Sequence, residues 1–114
     1  MGLARAVRVG NHVVVGGTAA IGLDGMNIAA DDIAAQAERC YRIIWQALAV
    51  AGASPADVVR TRTMMTDVTD YAIAVEARKA FLGDTLAAET IVEVARFVHP
   101  DWKIEIEVDA IIKE

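Results

Sequence analysis

Glu105, Glu107 and Asp109 stand at alternate positions of one apolar run, Ile104 to Ile112, and so share one face of any strand that run forms. A row of carboxylates on a strand is either solvated or aimed into a polar cleft. In a cleft, a glutamate acts as a general base when burial raises its pKa toward neutrality. Arg60 and Arg62, on an earlier alternating run, are expected to salt-bridge Glu105 and Glu107 rather than to hold an anion. Other chemistries find less support. His12, His99 and the single cysteine, Cys40, have no metal-ligand spacing, so no metal site is expected. His99 sits in a turn and reads as a surface residue. Cys40 lies on the apolar stripe of a helix without an electropositive neighbour, and reads as buried and inert. Met64-Met65 at a strand end reads as packing.

The elements that must position these groups follow from periodicity. Glu89 to Arg96 and Lys103 to Ile112 alternate apolar and polar residues and are rich in β-branched side chains, so both read as strands. Phe97 to Trp102 between them carries Pro100 and Asp101 and reads as a turn. The pair is therefore expected as a hairpin or as neighbouring strands. At the other end, Ala6–Val9 and His12–Val15 flank Gly10-Asn11, a hairpin signal, and the second strand ends at Gly16-Gly17, where a ligand or another backbone can approach closely. Residues Thr18 to Ala30 read as an irregular loop. Asp31 or Asp32 caps a helix with Ile33, Ala37, Cys40, Ile44, Ala47 and Leu48 on its apolar stripe, stopped by Gly52. Val58 to Met65 is a third strand, with Val59, Thr61 and Thr63 on one face and Arg60, Arg62 and Met64 on the other. Tyr71 to Leu82 is a second helix, closed by Gly83. The order is β-β-α-β-α-β-β, an α+β mixed sheet with two helices on one face.

Length and composition set bounds. The 114 residues suffice for one domain, 1–114. No apolar run is long enough to span a bilayer, and the start lacks the apolar core of a signal peptide. The single cysteine suits a reducing cytoplasm. A net charge of -5 without a Lys/Arg cluster argues against nucleic acid as a partner. A hydrophobic fraction of 55% is high for so small a monomer and predicts apolar surface buried between subunits.

Several stretches resemble the Rid (YjgF) family, the reactive intermediate deaminases. They are Arg5-Ala6-Val7-Arg8-Val9-Gly10-Asn11, Gly16-Gly17-Thr18, Ala34-Ala35-Gln36, the segment Ala51 to Val59, and above all Val92-Glu93-Val94-Ala95-Arg96 with Ile104-Glu105-Ile106-Glu107. The resemblance covers nearly the whole chain. It implies a chorismate-mutase-like fold and a homotrimer with a central barrel and clefts at the subunit interfaces. It also implies hydrolysis of enamines and imines to keto acids and ammonia, of the 2-iminobutanoate/2-iminopropanoate deaminase kind, with no cofactor. Glu105 matches the glutamate that positions the hydrolytic water. The family's substrate-anchoring arginine, however, falls at Glu89, beside Thr90 and Ile91. A guanidinium grips a carboxylate bidentately, whereas Glu89 repels one. Leu3, Gly16 and Val75 stand where the deaminase branch has a tyrosine, a serine and an asparagine, and Gly17 adjoins them. The closest pattern is an arginine-lacking subgroup, in which deaminase activity is in doubt. If Glu89 lies near Glu105, like-charge repulsion raises one of the two pKa values.

One feature points to assembly. Glu38, Arg42, Trp45 and Ala49 fall on the face of the first helix opposite its core stripe, and Tyr71, Ala72, Ile73 and Ala74 open the second helix where polar residues are usual. Unless a different helix phase buries Trp45, an apolar patch of Trp45, Ala49 and Ile73 marks a further contact surface, natural or engineered. The alternative reading of the chain is accordingly a non-catalytic trimeric scaffold that builds a larger complex through its helix faces.

Overall fold

The computed structural model describes residues 2–22, 25–26 and 31–113. Its elements are β1 (Ala6–Val9), β2 (His12–Thr18), α1 (Ile33–Val50), β3 (Val58–Met65), α2 (Tyr71–Leu82), β4 (Ala88–Glu93) and β5 (Ile104–Ile111), in the β-β-α-β-α-β-β order read from the sequence. The irregular loop expected over 18–30 lies in part outside the described residues.

The five strands form one sheet in the order β1-β2-β5-β3-β4. All neighbours are antiparallel except β3 and β4, which run parallel as strands on either side of a crossover helix must. The last two strands are therefore not neighbours, contrary to the expected C-terminal hairpin. Alternation reports that a strand has one buried face and carries no information on which strand lies beside it. The ten residues 94–103 carry the chain past the end of β3, and β5 then enters between β2 and β3.

One face of the sheet is buried under both helices. It carries Val13 and Val15 of β2, Val58, Thr61, Thr63 and Met65 of β3, and Ile104, Ile106, Val108 and Ala110 of β5, each at most 2% exposed. Against them α1 sets Ala37, Cys40, Tyr41, Ile44 and Leu48, whose spacing of three and four makes a continuous stripe. The Asp32 side chain caps the helix by accepting from the Ala35 amide at 3.0 Å. Beyond it Gly52, at φ 89°, lets the Ala53 amide turn back to the Leu48 carbonyl at 2.8 Å. Val59 is not on the buried face as its alternation suggested. Val58 pairs with Ala110 and Arg60 with the next residue, Asp109, so Val59 is an extra residue in a bulge and is 41% exposed.

Gln36 ties the β4–β5 connection to α1. Its fully buried amide accepts from the Lys103 amide at 2.9 Å and donates to the Asp101 carbonyl at 2.8 Å. These bonds replace water for backbone groups that have left the sheet. Gln36→Leu keeps the size and leaves both groups unsatisfied, so it is expected to lower unfolding free energy by about 1–3 kcal/mol, read from the urea midpoint.

Candidate functional site

The carboxylate row of β5 lies on the sheet face that the helices leave uncovered, and its three members are not equivalent. Asp109 pairs across the strands with Arg60 at 3.2 Å, and Glu107 with Arg62 at 3.9 Å. Glu107 is thus paired as expected, whereas the other arginine takes Asp109 in place of Glu105, because register sets Met64 opposite Glu105. Glu105 is the acid of the row with no arginine across from it. Burial raises its pKa, the Glu107 charge raises it further, and Arg5 offsets part of the shift.

The backbone beside Glu105 is bare. Val15 pairs with Val108 and Thr18 with Ile106, so Gly16 and Gly17 share the space of one residue in a bulge of β2. A methyl group on Gly17 would stand 3.2 Å from Glu105 Oε1. Arg5 bridges this bend, donating from Nη1 to the Gly17 carbonyl at 3.0 Å and to Thr18 Oγ1 at 2.8 Å. The glycines, Glu105 and Arg5 form one cluster.

Glu89 belongs to a second cluster on the opposite face, between the sheet and α2. It pairs with Thr61, a helix-facing residue, and its carboxylate takes Arg78 Nε at 2.9 Å and stands 3.4 Å from the Thr63 hydroxyl. Arg78 also donates to Thr61 Oγ1 and to the Ala87 carbonyl, each at 2.7 Å. Burial raises the pKa of Glu89, against the opposing pull of Arg78 and of the two threonines. Burial, and after it the Glu89 charge, push up the nearby Tyr41 phenol. The expected repulsion between Glu89 and Glu105 is absent, since the sheet separates them. Each is raised chiefly by its own desolvation.

A model of the family described as Endoribonuclease L-PSP matches residues 2–112. The chain belongs to this family, that of the Rid/YjgF proteins. It is 34% identical over 103 residues to a RutC family protein of Pyrococcus abyssi, covering 90% of this chain and 80% of that one. It is 31% identical over 110 residues to the 2-iminobutanoate/2-iminopropanoate deaminase of Escherichia coli, covering 94% and 84%. Among solved structures, a YjgF/YER057c/UK114 family member from Mycobacterium tuberculosis superposes with a TM-score of 0.87 at 40% identity, covering 97% of this chain and 87% of that one. RidA from the Antarctic bacterium Psychrobacter superposes at 0.90 with 30% identity, covering 98% and 89%.

In this Rid protein the positions singled out from the sequence fall into separate places. Gly16 and Gly17 adjoin Glu105. Glu89 and the half-buried Ile91 face the helices, Thr90 is exposed on β4, and Val75 lies on α2. Within one chain, β3 stands between β4 and β5. Leu3 is 82% exposed, ahead of β1. Cys40 is fully buried, and burial with the Glu105 charge pushes its thiol up to about 12. Among the described residues no three His, Cys, Asp or Glu side chains converge as metal ligands, and no helix is long and apolar enough to cross a membrane.

Sequence reading missed Arg78. Its signal was present: it follows the buried Ala74 by four and precedes the buried Phe81 by three, so it occupies the inward stripe of α2 and needs a carboxylate there. Arg78→Met is expected to cost about 2 kcal/mol at pH 7 by stranding the Glu89 charge. Without Arg78 the folded pKa of Glu89 rises further above its unfolded value. The native state then holds the extra proton over that window, so stability falls as pH rises through it. Denaturation curves at pH 4 and pH 7 are therefore expected to show a larger loss at pH 7.

Proposed function

We propose that this chain acts as a homotrimer of an arginine-lacking Rid subgroup, hydrolysing or binding small imine-like molecules in clefts between subunits, with Glu105 as general base. The observation that carries the reading is the uncovered Glu105 carboxylate, unpaired across the strand and lying against the bare Gly17 backbone. A water held by Glu105 adds to the carbon of a C=N bond while the carboxylate takes its proton. Returning that proton to nitrogen gives a carbinolamine, and transfer of its hydroxyl proton to nitrogen as the C–N bond breaks releases ammonia and leaves the carbonyl product. The 31% identity to an enzyme named as a deaminase supports the reaction class.

The trimer is supported by a sheet whose second face no described element covers and which exposes Val14, Val92 and Ile111 there. Copies packed there would bury it. Such packing would also bring the β4 edge of one copy to the Glu105 cluster of another, joining what a single chain keeps apart. The substrate class follows from what Glu89 does not supply. Held by Arg78, it offers a substrate carboxylate no anchor, so substrates without a carboxylate are favoured over 2-iminobutanoate.

At low protein concentration, light scattering behind size exclusion is expected to give the mass of three 12.2 kDa chains. For catalysis, keto acid formation is followed from enamines generated from serine and threonine. Wild type is expected to accelerate it weakly, and Glu105→Gln to lower the increment by about 100-fold or more. An unchanged increment in Glu105→Gln rules out the base. Glu89→Arg alone is expected to fail as a rescue, because it sets two guanidinium groups against each other. Combined with Arg78→Gln it is expected to raise turnover of the carboxylate substrate.

A further inference from the structure

We propose that the outer face of α1 and α2 is a two-fold contact between copies of this chain, distinct from the sheet face assigned to the trimer. The two helices meet through Tyr41 stacked on Phe81, with ring centroids 4.7 Å apart, and Trp45 edge-on to Phe81 at 6.1 Å. Trp45 remains 52% exposed and Ile73 36%. Beside the protruding indole runs a groove of about 580 Å³ between the helices, with Ala77, Ala80 and Phe81 in its wall. A large knob next to a hollow walled by small residues is a shape that fits its own copy, and a two-fold contact requires that self-complementarity.

Charge selects the occupant. The groove's charged lining is Glu38 paired with Arg42 at 3.0 Å and Glu76, whose charge is met at 3.6 Å by Lys79 just outside the lining, two acids and two bases. The chain as a whole carries a charge of -5, so copies repel each other over most of their surface. Here the face is locally neutral, and a strongly acidic or basic partner gains nothing from it. Arg42 and Glu76 line opposite walls of the same groove. A two-fold axis running along the groove lays each α1 over the α2 of the other copy. It therefore lays the α1 wall, with Arg42 and Trp45, against the other copy's α2 wall, with Glu76, Ala77 and Ala80, twice over.

The area fits a weak contact that repetition strengthens. The 18-residue α1 is about 27 Å long and the 12-residue α2 about 18 Å. Side by side, at about 10 Å diameter each, they cover roughly 400–500 Å². A pair of copies then buries about 800–1,000 Å², below the roughly 1,200 Å² at which stable specific interfaces begin and in the range of weak contacts. Trimers that present three such faces gain affinity from each further contact made.

The test is mass against concentration by light scattering for wild type, Trp45→Lys, Ile73→Glu, Arg42→Glu, Glu76→Arg and the double charge swap, each checked by circular dichroism for retained fold. Wild type is expected to rise with concentration above the mass of Trp45→Lys and Ile73→Glu. Each single charge reversal is expected to raise the half-association concentration about ten-fold, and the double swap to return it toward wild type. Equal masses for wild type and both apolar-face variants overturn the contact. Failure of the double swap to restore association overturns the axis along the groove. The trimer reading fails separately, if the non-associating variants weigh other than three chains.

Discussion

The fold depends on placing its last strand in the middle. β5 pairs with β2 on one side and β3 on the other, and without it the sheet would be two unconnected pieces. Its alternation is complete over seven residues: Ile104, Ile106, Val108 and Ala110 are buried while Glu105, Glu107 and Asp109 are half-exposed. A slip of one residue would send three carboxylates into the core, so the register is set by a large penalty. The pairing with β2 joins residues nearly the whole chain apart, a contact closed only after a long loop has been ordered. The ties that hold the preceding connection, above all Gln36 to Asp101 and Lys103, therefore help fix where β5 begins.

The same alternation sorts the ionisable groups into two environments. On the helix side, a carboxylate survives because Arg78 and two threonines surround it, and the result is a closed network with a structural role. On the open side, cross-strand arginines neutralise Asp109 and Glu107 and leave Glu105 opposite a methionine. Nothing in the chemistry of a glutamate separates Glu105 from Glu107, since both sit at equivalent points of one strand. The difference comes from the neighbouring strand, which past its bulge at Val59 sets Arg62 opposite Glu107 and Met64 opposite Glu105.

That bulge also marks the boundary of what the sequence makes legible. Helix limits, caps and the identity of every strand follow from local period and turn chemistry, and these were read correctly for α1, α2 and β3. The burial of Cys40 and the exposure of Trp45 follow from helix phase over a long element, where one turn constrains the next. Strand adjacency does not follow, because a period of two is the same whatever lies beside the strand. For the same reason the sequence places Arg60 and Arg62 against the right row of acids, and at Glu107, yet does not show that the second partner is Asp109 rather than Glu105. Glu89 shows a further limit. Its departure from the family pattern was visible in the chain, yet the partner that accounts for it, Arg78, lies eleven residues upstream on another element. Only an inward-facing arginine on α2 hinted at it.

Assembly and chemistry are coupled through Glu105. The uncovered sheet face has most of its charge already paired within itself, through Arg60 with Asp109 and Arg62 with Glu107, so packing copies there leaves these two acids beside cations. Glu105 has no such partner, and Arg5 only offsets a shift already upward. Any layer that covers this face removes more water from its carboxylate and raises its pKa further. A general base works best when its pKa approaches the working pH. The burial that stabilises the proposed trimer would thus bring Glu105 nearer to the range a base needs, while the same burial on the other side of the sheet, compensated by Arg78, serves only to hold Glu89 in place.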